Sequence, residues 1–142
     1  MALVLGIAIG VEREYQGHPA GIRTMALIAV GSCMFTGIAL EPAFGSRTDP
    51  TRIAAQIVTG VGFLGAGSIL RQGELVRGLT TAASIWVVAS IGMAVGFGYY
   101  VIPIFSTALV LGTLVAIRPI EVRFFKNRRN RRVTDPHTDE PG

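Results

Sequence analysis

Long uncharged stretches broken by short charged clusters dominate this chain. Residues 1–11, 24–40, 53–70 and 78–117 carry no charged side chain. A helix crossing the hydrocarbon core of a bilayer needs about 20 apolar residues, with a tolerated range near 17–25. Thr24–Leu40 and Ile53–Leu70 each fit one crossing. Gly78–Ile117 is too long for one and suits two. The break is expected at Gly96-Phe97-Gly98-Tyr99-Tyr100, where glycines loosen the helix and tyrosines suit the membrane–water boundary. Met1–Val11 falls short of a crossing and predicts a span whose first turns are missing. It lacks the basic start and small-residue cleavage site of a secretory signal. The expected fold is an all-α membrane protein, a compact bundle of about five transmembrane helices.

Composition supports this reading. Only 15% of the residues are charged and half are apolar, against about 25% charged in ordinary soluble domains. One uncharged run alone could be the core helix of a soluble protein, but several in succession cannot. Orientation follows from the basic residues, which favour cytoplasmic loops. Arg118, Arg123, Lys126, Arg128, Arg129, Arg131 and Arg132 all follow the last span. With five spans and this tail inside, eleven basic residues lie in the cytoplasm against two outside. The N-terminus is therefore expected outside and the C-terminus inside. Residues 1–121 form the expected transmembrane domain, and 122–142 a basic juxtamembrane segment ending in a disordered tail. A basic cluster beside a span suits anionic lipid headgroups. A nucleic-acid partner would need a folded reader or interleaved aromatics, so none is expected.

The densest motif is Gly60-Val61-Gly62-Phe63-Leu64-Gly65-Ala66-Gly67. It contains G-x-G-x-x-G, but the dinucleotide fingerprint requires a preceding strand and an acid about 20 residues on. Thr80 and Thr81 stand there instead. On a helix, Gly60 and Gly67 share one face while Gly62 and Gly65 lie roughly opposite. Small residues let membrane helices approach closely, which places this third span at the centre of the bundle. A discontinuous helix whose freed backbone groups bind an ion is the alternative. Gly6–Gly10 and Gly92–Gly96 are further G-x-x-x-G pairs. Cys33 is alone and reads as a packing residue.

Polar residues gather at the span ends. Glu12, Arg13, Arg23, Thr24, Arg71, Glu74, Arg77, Thr80 and Thr81 are expected to meet on the cytoplasmic face as a functional rim, with Asp49 and Arg52 on the opposite side. Asp49 suits a helix cap and Pro50 the first helical position. Thr80 or Thr81 suits the same role for the fourth span. Trp86 falls inside that span, where its indole N–H calls for a partner within the bundle. No His/Cys cluster has metal-ligand spacing, and Ser, His and Asp form no catalytic pattern, so neither enzyme chemistry, cofactor nor metal is expected. The acids all lie at span ends, whereas ion pathways usually carry ionisable groups inside the membrane.

Four stretches resemble the MgtC/SapB family of bacterial inner-membrane proteins. They are Gly10–Glu14 (GVERE), Pro19–Thr24 (PAGIRT), Asp49–Gly67 (DPTRIAAQIVTGVGFLGAG) and Arg77–Trp86 (RGLTTAASIW). The resemblance covers the chain to about Glu121. It implies a role in magnesium homeostasis, growth when Mg²⁺ is scarce and, in pathogens, survival inside macrophages. It also implies a regulator that binds other membrane proteins, the F-type ATP synthase among them, rather than a transporter. Many members continue into a cytoplasmic domain, whereas this chain stops after its basic segment. The expectation is a non-enzymatic protein acting through helix contacts with itself or another membrane complex. The rival is a cation transporter or channel formed between subunits.

Overall fold

The computed structural model describes residues 1–41, 49–73 and 75–131, the stretch 118–131 by its backbone alone. It contains five helices: α1 (Ala2–Tyr15), α2 (Ile22–Ala39), α3 (Pro50–Gly67), α4 (Leu79–Gly96) and α5 (Val101–Arg131). Between α3 and α4 lies an antiparallel hairpin, β1 (Leu70–Gln72) and β2 (Leu75–Arg77), with Leu70 opposite Arg77 and Gln72 opposite Leu75. By length and composition, α2 and α4 can cross a membrane; the apolar part of α5 is the shorter stretch Val101–Ile117. At about 1.5 Å per residue, the 31 residues of α5 exceed the roughly 30 Å of a hydrocarbon core. The helix crosses position 121 without a break, and Val133–Gly142 lies outside the described residues.

The expected break between the fourth and fifth spans is present. Phe97 ends α4 and Gly98 follows with φ +83°. Gly98 and Tyr99 donate their N–H groups back to the carbonyls of Val95 and Ala94. This left-handed closure occupies helix carbonyls that would otherwise be orphaned, and glycine enters it without a Cβ penalty. The start of α3 also follows the sequence: Asp49 accepts from the Thr51 N–H at 2.9 Å, and Pro50 opens the helix. The start of α4 does not. Its cap is Gly78, left-handed at φ +93° and without a side-chain bond. Thr80 and Thr81 lie within its first turn.

Close backbone packing sets the centre of the bundle. Gly6 faces the Met25 carbonyl and Ala29 on α2, so that a Cβ there would stand 2.8 Å from both. A Cβ on Gly10 would stand 2.6 Å from Ile22 Cα. On the other side of α2, Gly92 presses on the Ala29 carbonyl and Gly96 on Cys33 and Thr36. Each of these approaches leaves no room for a methyl group. The register shows α1 antiparallel to α2 and α4 parallel to it. The core, with Ile9, Met25, Ala29, Val88 and Ile91, lies among these three helices.

The third helix therefore does not occupy the centre expected from its glycines. It is unbroken from Pro50 to Gly67, so the discontinuous alternative is absent as well. Gly65 alone of its four meets a neighbour, at ordinary contact distance from Ala82 on α4. A Cβ on Gly60, Gly62 or Gly67 would meet open space. Glycine in a helix signals that close approach is possible, without saying which surface approaches.

Hydroxyl side chains share the interior with the apolar core, and large apolar side chains cover much of the outside. Ser32, Thr36, Thr81, Ser84 and Thr107 are buried, while Leu27, Phe35, Phe63, Val101 and Phe105 are exposed. Several hydroxyls are satisfied locally: Thr36 donates to the Ser32 carbonyl at 2.8 Å, Ser84 to Thr80 at 2.8 Å, and Thr107 to Pro103 at 2.7 Å. Donation back along the helix lets a hydroxyl lie in an apolar interior without an unmet donor.

Candidate functional site

The helix directions gather one end of α1, α2, α3 and α4, together with the hairpin, on a single side of the bundle. Most of the sequence-predicted polar rim lies there. Arg13, on the last turn of α1, is its most unusual member. It continues the buried stripe of Ala2, Gly6, Ile9 and Gly10 and is only 3% exposed. Its Nε lies 2.5 Å from Glu12 Oε2 and its Nη2 3.0 Å from Oε1, a two-pronged ion pair between sequence neighbours. Nη1 is buried without a hydrogen-bond partner. A guanidinium in such a place must stay paired, because an isolated buried charge is far costlier than a neutral pair.

Glu14, one residue further, has a structural task. Its Oε2 accepts from the Ile22 N–H at 2.9 Å and thereby caps α2, whose own N-cap residue, Gly21, has no side chain to do so. The motif GVERE therefore supplies an ion pair and a cap from adjacent positions. A glycine at a helix start close after a glutamate was the signal available in the sequence for this second role.

The remaining rim residues are more dispersed. Arg23 and Thr24 are exposed on the first turn of α2. Arg71 donates its Nε to the Gly73 carbonyl at 3.2 Å, which closes the hairpin turn, and Arg77 is exposed on β2. Thr80 is exposed and Thr81 buried. Glu74 lies outside the described residues. Trp86 does not point into the bundle as expected: it is 50% exposed, on the outer surface of α4. Arg123, Lys126, Arg128, Arg129 and Arg131 fall on the backbone of α5, and Arg132 lies outside the described residues.

Asp49 and Arg52 stand at the opposite end. Asp49 Oδ1 accepts both the Thr51 N–H and its hydroxyl, the latter at 2.7 Å. These bonds, with a smaller contribution from the Arg52 charge, hold its carboxyl below the usual aspartate pKa. Both residues border a groove of about 940 Å³ between α2 and α3, along which Gly31 and Gly60 lie. Among the described residues, no three His, Cys, Asp or Glu side chains come together as a metal site.

The sequence model of the MgtC family matches residues 1–123. The chain is 40% identical to an uncharacterized protein of Haemophilus influenzae, over 94% of this chain and 59% of that one. It is 42% identical to the "Putative magnesium transporter YhiD" of Escherichia coli K12, over 89% of this chain and 62% of the relative. It is 44% identical to Protein MgtC of Salmonella typhimurium LT2, over 82% of this chain and 49% of the relative. The chain thus spans from about half to three-fifths of these proteins' lengths. No solved structure matches it.

Proposed function

This chain belongs to the MgtC family, and we propose that it serves magnesium homeostasis as a non-enzymatic regulator in the bacterial inner membrane. In this reading all five helices enter the bilayer, with the N-terminus outside and the C-terminus inside. The basic residues of loops and tail support that orientation, and the alternating helix directions suit successive crossings. The many exposed large apolar side chains support immersion in lipid, since apolar patches beyond a few hundred Å² are rare on soluble monomers.

The regulator acts by contact with other membrane proteins or with a second copy of itself. One observation carries this part: the outer face of α3 is open and smooth. Ala55, Thr59, Gly62 and Ala66 recur at three- and four-residue spacing and are all exposed. Membrane helices associate through such small-residue faces. Leucine at Gly62 and Ala66 is expected to abolish recovery of cross-linked partners while leaving membrane insertion intact. The F-type ATP synthase that the family resemblance implies is the first partner to probe. Undiminished recovery from the double variant would sink the contact mechanism.

A cation pathway formed between copies is the second reading, favoured by the name of the E. coli relative. Purified protein in liposomes separates the two. Mg²⁺ flux that disappears in Glu12→Gln or Asp49→Asn favours transport; lack of flux favours regulation.

A further inference from the structure

We propose that the groove between α2 and α3 is a binding site for one phospholipid with a zwitterionic headgroup, phosphate plus ammonium. The proposal goes beyond the contact mechanism but rests on the placement of α2 and α3 in the bilayer.

Three features of the groove select this occupant. The first is its shape. Its volume of about 940 Å³ lies at the top of the range of roughly 300–1,000 Å³ typical of ligand sites. From Arg52 to Leu64 it follows α3 for about 18 Å at 1.5 Å per residue. A crossing partner helix needs about 30 Å, whereas the acyl chains of one leaflet need about half of that. The groove is therefore long enough for a lipid tail and too short for a transmembrane segment.

The second feature is the separation of polarity along its length. On α3 the polar lining residues Asp49, Arg52 and Gln56 lie toward its start, with Ile53 among them, while the walls further along that helix are Ile57, Val61 and Leu64; α2 adds mainly apolar side chains and Ser32. Gly31 on α2 and Gly60 on α3 face this space without a side chain, and a Cβ on either would meet nothing within 4 Å. A molecule with one polar end and a long apolar body matches that gradient.

The third feature is charge complementarity. Arg52 is an exposed cation whose planar fork suits a phosphate. One turn away, Asp49 accepts from Thr51 through Oδ1, and its carboxylate borders the same groove, where it can also accept from an ammonium donor. An anionic headgroup satisfies Arg52 but sets its remaining charge beside the Asp49 carboxylate. A zwitterion satisfies both.

The test uses the full chain purified in mild detergent and offered equal amounts of phosphatidylethanolamine, phosphatidylglycerol and cardiolipin. Bound lipid is counted by native mass spectrometry. The expected result is one phosphatidylethanolamine per chain, preferred over phosphatidylglycerol by about tenfold, the scale of one charge-assisted hydrogen bond. Arg52→Gln and Asp49→Asn each bring that preference near parity. Asparagine caps a helix as well as aspartate does, so the second variant keeps α3 intact. Gly60→Leu fills the groove and removes retention of every lipid class. Equal binding of the three lipids overturns the proposal, as do preference for an anionic lipid, variants that bind as the parent does, or a lipid-free dimer. Recovery of the chain in the soluble fraction instead refutes the placement in the bilayer.

Discussion

Gly92 on α4 rests directly against the carbonyl of Ala29 on α2, so that a side chain there would overlap the Ala29 oxygen. Gly92→Leu is expected to prevent accumulation of the folded protein, and Gly92→Ala to destabilise it by about 1–3 kcal/mol, the usual cost of overpacking. Gly62→Leu, facing open space, causes no such loss. Thermal unfolding in detergent, followed by circular dichroism, distinguishes these outcomes. Equal stability of the Gly92 and Gly62 variants contradicts the packing described.

The Glu12–Arg13 pair makes a different prediction. Arg13→Met leaves Glu12 almost buried without its partner, at an expected cost of about 3–5 kcal/mol. Combining it with Glu12→Gln recovers much of the loss, because neither charge then remains to be desolvated. A double-mutant cycle reads the coupling directly, and additive losses argue against a pair.

Removal of the Glu14 carboxylate uncaps α2. Glu14→Ala is expected to cost about 0.5–2 kcal/mol, the range found for lost helix caps. Faster amide exchange at residues 22–24, with α4 unaffected, is the local signature.

At Asp49 the prediction concerns acid. Its folded pKa lies below the usual value because Thr51 donates two bonds to it. The carboxylate's contribution is complete above the ordinary aspartate pKa of about 3.9. It is lost as pH falls through the lower folded value. Asp49→Asn therefore flattens the dependence of melting temperature on pH below about 4. An unchanged acid limb assigns that dependence to other carboxylates.

Membrane topology is open to labelling because Cys33 is the chain's sole cysteine. In a Cys33→Ser background, a cysteine at Thr51 is expected to react with an impermeant reagent in intact cells, and one at His18 only after lysis. The reverse pattern inverts the orientation.

Local features were legible wherever one residue type had one physical use. Gly98 terminates α4, and Asp49-Pro50 begins α3, by chemistry confined to a few neighbouring atoms. The central helices were harder. G-x-x-x-G at residues 6–10 and 92–96 and the denser glycines of α3 look alike in sequence, yet only the first two sets are pressed against α2. Arg13 was equally opaque: a charge near a helix end reads as a surface group, and only the stripe it shares with Gly6 and Gly10 reveals its burial. Trp86 fails in the other direction, since position along a span says nothing about which side of the helix faces lipid.

Backbone contact on both flanks of α2 gives this small bundle an uneven tolerance of sequence change. Where Gly6, Gly10, Gly92 and Gly96 meet α2 even one added methyl has nowhere to go, so drift at those contacts requires compensating shifts in the neighbouring helices. The outer faces of α3 and α5 carry no such constraint. New contact specificities can therefore be tried on those faces without rebuilding the plate of helices beneath them.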